Sequence, residues 1–84
     1  MSKYNFNDSF FKSAADRLIA QYTKDLEMSN VQYEYSVNLG KIKKYECRDL
    51  LPGLLKEIEK SVTNCEVSVY YSGFSCYLEM RLWK

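Results

Sequence analysis

The side chains with the most chemical reach in this 84-residue chain are three cysteines, Cys47, Cys65 and Cys76. A thiol becomes a nucleophile when a helix N-terminus or a cationic neighbour depresses its pKa, and only Cys47, beside Arg48 and just ahead of a helical stretch, meets that description. No base or orienting group accompanies it, so a structural role is the expectation for all three cysteines, as small, buried or half-buried apolar residues. Histidine is absent, which excludes Ser-His-Asp, Cys-His and zinc-hydrolase mechanisms. The cysteines lack the close pairing of zinc ligands, so neither a metal nor a cofactor is expected, and the chain reads as a non-enzyme.

Binding chemistry is better represented than catalysis. In the run from Cys65 to Trp83, alternate residues place Glu66, Ser68 and Tyr70 on one face of a first strand and Tyr77, Glu79, Arg81 and Trp83 on the same face of a second. Tyr, Trp and Arg are enriched at protein-binding hot spots, so Tyr70, Tyr77, Glu79, Arg81 and Trp83 are the candidate partner-binding residues. The competing account is an exposed sheet stabilised by cross-strand pairs, or a face covered by the first helix. A second candidate is the basic run Lys41, Lys43, Lys44, Tyr45 and Arg48, whose local charge is near +3 once Glu46 is counted. Cations with an interleaved aromatic suit a phosphate backbone, but lysines also protect exposed edge strands from aggregation.

The whole-chain balance argues against nucleic acid. Twelve basic and eleven acidic residues leave a net charge of +1, so the long-range field is weak. No apolar stretch approaches the roughly 20 residues that span a bilayer. An odd cysteine count without a CxxC pair, and no apolar N-terminal run, point to a reducing, cytoplasmic setting.

The elements that position these residues follow from periodicity. Residues 1–7 form a short N-terminal arm in which Tyr4 and Phe6 can tuck against the fold; the rest of the single 84-residue domain carries the elements. Asn7 or Asp8 caps a helix over residues 9–27, with Phe11, Ala14, Ala15, Leu18, Tyr22 and Leu26 as its apolar stripe. Residues 31–39 alternate as a strand, with Val31, Tyr33, Tyr35, Val37 and Leu39 on one face. Residues 41–47 read as a second strand or a basic loop. Asp49 caps a second helix with Pro52 in its first turn and Leu50, Leu51, Leu54, Leu55, Ile58 and Val62 along one side, and Asn64 offers a left-handed exit.

The final run is a hairpin about Ser72-Gly73. Its apolar face holds Cys65, Val67, Val69 and Tyr71 with Cys76, Leu78, Met80 and Leu82. A two-residue loop sets Val69 opposite Cys76; a four-residue loop sets Tyr71 opposite Cys76 and Val69 opposite Leu78. Both registers keep the core intact. The expectation is an α+β domain in the order α-β-(β)-α-β-β, with a three- or four-stranded, mainly antiparallel sheet under two helices.

In size, lack of histidine and richness in Tyr and Lys, the chain resembles small phage-encoded proteins that inhibit host enzymes or CRISPR and other defence systems. That resemblance implies a non-catalytic protein binder of the host cytoplasm. An exposed sheet edge also suits a homodimer.

Overall fold

A computed structural model describes residues 6–83, so the expectation for Tyr4 lies outside the described residues. The domain is α+β, and its strands confirm the expected hairpin. Helix α1 (Asp8–Glu27) starts at Asn7, whose side chain accepts a hydrogen bond from the Phe10 N–H at 3.0 Å. Ala14, Ala15 and Leu18 of its stripe are buried and Phe11 and Tyr22 half-buried, whereas Leu26 is left exposed. The helix closes through Ser29, whose φ of 52° supplies the left-handed residue expected instead at Asn64.

Strand β1 (Glu34–Gly40) is shorter than the alternation suggested. Tyr35 and Val37 are buried and Leu39 half-buried, but Val31 and Tyr33 precede the strand and are exposed. The Tyr35 hydroxyl donates to Asp25 Oδ2 at 2.7 Å and accepts from the Gln32 N–H at 2.8 Å, tying the end of α1 to β1. Burial pushes this phenol's pKa up, which keeps it a donor.

Residues 41–47 correct the expectation of a second strand. Gly40, at a φ of 100°, turns the chain, and α2 (Lys44–Asp49) follows. Ile42, Glu46, Cys47 and Leu50 are all buried, a spacing that matches one side of a helix and no alternating strand. Asp49 therefore ends α2. Helix α3 (Leu51–Ile58) starts from Leu50 without a side-chain cap, with Pro52 in its first turn. Gly53 lets α3 approach α1 closely: a Cβ there would sit 2.7 Å from the Phe11 ring.

Strands β2 (Cys65–Ser72) and β3 (Ser75–Leu82) form the hairpin, and the antiparallel sheet has the order β1-β3-β2. The realised register sets Tyr71 opposite Cys76 and Val69 opposite Leu78, with Ser72 paired to Ser75. The loop is thus Gly73-Phe74, not Ser72-Gly73. Both residues have positive φ, 55° and 66°, as the right-handed twist of a tight hairpin demands.

The helices pack on the apolar side of the sheet, where Leu18, Leu54, Ile58, Leu78 and Met80 form the solvent-free centre. A disulfide joins Cys47 of α2 to Cys76 of β3, with Cα atoms 5.8 Å apart. This corrects the expectation of three thiols and removes the premise on which a reducing setting rested. No helix is long and apolar enough to cross a membrane among the described residues.

Candidate functional site

The hairpin register brings Tyr70 and Tyr77 directly opposite each other on the side of the sheet away from the helices. Their rings stack with centroids 5.1 Å apart and planes inclined by only 12°. Such a pair presents one broad, flat aromatic surface already held in place, so little side-chain entropy remains to be lost on binding. Tyr70 is 41% exposed. Asn38 of β1 flanks Tyr77 on its other side, completing a three-strand row.

The next rows carry charge. The Arg81 Nε donates to Glu79 Oε1 at 2.6 Å and lies 3.7 Å from Glu34 Oε2. The hydrogen bond from Glu79, then the charges of Glu79 and Glu34, raise the guanidinium's pKa further. Glu79 is only 8% exposed, shielded on the central strand between Ser36 and Ser68. Glu66 stands opposite Arg81 from β2. Glu34, Glu66 and Glu79 thus surround the single guanidinium of Arg81, giving this part of the face an acidic character. Alternation along β1, β2 and β3 alone produces these rows, because every second residue shares a face.

Trp83 departs from the expected cluster. It lies past the end of β3, about 20 Å along the strand direction from Tyr77 at roughly 3.3 Å per residue. There it is 61% exposed and lines a cleft of about 320 Å³ with Tyr22, Leu26, Val31, Tyr33 and Leu82. The site is therefore Tyr70, Tyr77, Glu79 and Arg81, with Trp83 at the other end of the molecule.

Two contributors escaped the sequence reading. Glu34 enters because β1 pairs with β3 rather than with a following strand. Phe74, 78% exposed in the hairpin turn, adds an aromatic at the tyrosine end; a hydrophobic residue in a tight turn was its only sequence signal.

The basic candidates Lys41, Lys43, Lys44, Tyr45 and Arg48 are all exposed, on α2 and the loop before it. The Lys43 ammonium sits 5.9 Å from the Tyr45 ring centroid, so that aromatic already has a cation partner. Glu46, counted with the run from sequence, is instead buried. Cys47 offers no thiol in this structure because its sulfur is bonded to Cys76. Cys65 keeps its thiol, but burial and then the charge of Glu59 push its pKa up, away from a reactive thiolate. No cluster of His, Cys, Asp and Glu suited to a metal ion occurs among the described residues.

Comparison of the chain with protein-family models, with curated proteins and with solved structures finds no match in any of the three.

Proposed function

We propose that this protein is a non-catalytic binding module that docks a protein partner on the helix-free face of its sheet. The observation that carries this reading is the stacked Tyr70–Tyr77 pair, exposed beside the acidic Glu34–Arg81–Glu79 group. An aromatic platform next to an acidic patch fits a protein surface that presents an apolar or planar group beside a Lys or Arg. The same charge repels a phosphate backbone, which places nucleic acid behind protein as the ligand of this face. Such a module acts by occupying its partner's surface, as a small inhibitor of an enzyme or a viral antagonist of a CRISPR-type defence system does. Work in a host cytoplasm would require Cys47 and Cys76 to serve as a buried thiol pair.

Replacing both tyrosines, Tyr70→Ala with Tyr77→Ala, tests the reading. Partner capture should fall at least tenfold, equivalent to about 1.4 kcal/mol of binding free energy. The thermal midpoint should fall only a few degrees, because the pair contributes roughly 0.5–1.5 kcal/mol beyond its buried area. Tyr45→Ala, an exposed aromatic on α2, serves as the control and should leave capture unchanged. Equal capture by the double variant and the wild-type protein would remove the face from consideration.

A further inference from the structure

The sheet has two edges, and the chain treats them differently. The Leu82 N–H donates to Tyr33 O and the Trp83 N–H to Asn64 O. In antiparallel pairing the bonding direction alternates, so even-numbered residues of β3 bond β1 and odd-numbered ones bond β2. It follows that Ser36 and Asn38 turn their backbone groups outward on the β1 edge. There α1 meets them: Gln21 Nε2 reaches Ser36 O at 3.4 Å and Arg17 Nη1 reaches Asn38 O at 3.5 Å. An irregularity between Asn38 and Gly40 further breaks this edge.

The β2 edge has none of these devices. By the same alternation, Cys65, Val67, Val69 and Tyr71 direct their N–H and C=O groups away from β3. No backbone or side-chain hydrogen bond among the described residues satisfies them. β2 spans eight residues without Pro, Lys, Arg or a register shift, the features that ordinarily protect an edge. Apolar burial repeats the pattern. Cys76, Leu78 and Met80 on the central strand are fully buried, whereas Cys65, Val69 and Tyr71 on the same face of β2 remain half-exposed along the rim.

We infer that β2 pairs antiparallel with β2 of a second copy of this chain, joining two three-stranded sheets into one of six strands. The residues fit their own two-fold copy. Only registers that oppose odd-numbered residues to odd-numbered ones bond outward groups to outward groups. The register that uses all four sets Cys65 against the partner's Tyr71 and Val67 against the partner's Val69, extending the apolar face across the seam. On the other face, Ser68 meets its own copy on the two-fold axis and Glu66 meets the partner's Tyr70. No like charges oppose each other, which a register four residues away, with Glu66 against Glu66, would force. The two tyrosine pairs then lie on one continuous surface. This pairing stands on backbone geometry and does not depend on what the tyrosine face binds.

Sedimentation equilibrium of the full chain, with amide hydrogen exchange, tests the inference. The wild-type protein should reach twice its 9.9 kDa chain mass as concentration rises. The amides of Val67, Val69 and Tyr71 should exchange as slowly as that of Tyr70, which bonds within the hairpin. Ser68→Lys places two ammonium groups together on the two-fold axis, while on its own chain the exposed side chain lies beside Glu79. Association should weaken at least tenfold, with Val67, Val69 and Tyr71 turning fast and Tyr70 staying slow. Val69→Pro, which removes an outward N–H and no bond within the hairpin, should do the same. A 9.9 kDa species at every concentration with those three amides fast would overturn the inference. So would a dimer indifferent to both variants. Amides that slow only when a foreign protein is added would assign the edge to that protein's strand instead.

Discussion

Reducing the Cys47–Cys76 disulfide is expected to lower the thermal midpoint by about 15–25 °C. The two cysteines are 29 residues apart, and closing a loop of that length removes roughly 3.5 kcal/mol of conformational freedom from the unfolded chain. For a domain under 100 residues, each kcal/mol moves the midpoint by roughly 4–8 °C. The expectation is large because few other elements hold α2. This helix is six residues long, below the length at which helices persist on their own, and it has no side-chain cap. Both sulfurs are buried, so the comparison requires reduction under denaturing conditions followed by refolding in reductant. Intact mass confirms the gain of two hydrogens. Superimposable melts of oxidised and reduced protein would show that packing alone seats α2.

Glu46→Met is expected to stabilise the protein by about 1–3 kcal/mol, raising the midpoint by about 5–15 °C. Glu46 is 4% exposed, and neither of its carboxyl oxygens has a hydrogen-bond partner. A polar group removed from water without a replacement partner carries a desolvation cost in the native state alone, and an unbranched thioether of similar reach avoids it. Its position between Ile42 and Leu50 on the buried side of α2 offers no route to solvent without unwinding the helix. Thermal melts of the two proteins, both oxidised, provide the measurement. A lower midpoint for Glu46→Met would mean that the carboxyl stabilises the native protein.

These two expectations concern the segment where sequence and structure diverge most. The hairpin was legible because its apolar residues alternate without a break from Cys65 to Leu82, and a one-residue slip would expose a whole apolar set. Helix α1 was legible for the corresponding helical reason. Residues 41–50 carry only Ile42, Cys47 and Leu50 as clearly apolar markers, too few to separate a strand from a short helix. The deciding contacts are the bond to Cys76 and the burial of Glu46, both of which arise in tertiary structure.

The candidate site divides along the same line. Cross-strand placement of Tyr70, Tyr77, Glu79 and Arg81 follows from alternation, and the sheet realises it. Alternation says nothing of distance along the strand, so it joined Trp83 to residues at the opposite end. It is equally silent on which strands are neighbours. Glu34 therefore entered the site unforeseen, and the contrast between the guarded β1 edge and the open β2 edge became visible only with the strand order β1-β3-β2.

The most direct measurement of whether the tyrosine face receives a protein partner is photocrosslinking from the face itself. Tyr77→p-benzoylphenylalanine keeps an aromatic ring on the central strand, while the same group at Asp16, exposed on α1, samples the helical side. With partner-containing extract, position 77 should give a covalent adduct to a protein other than this chain, and position 16 should give none. An adduct from position 16 with none from position 77 would contradict the account.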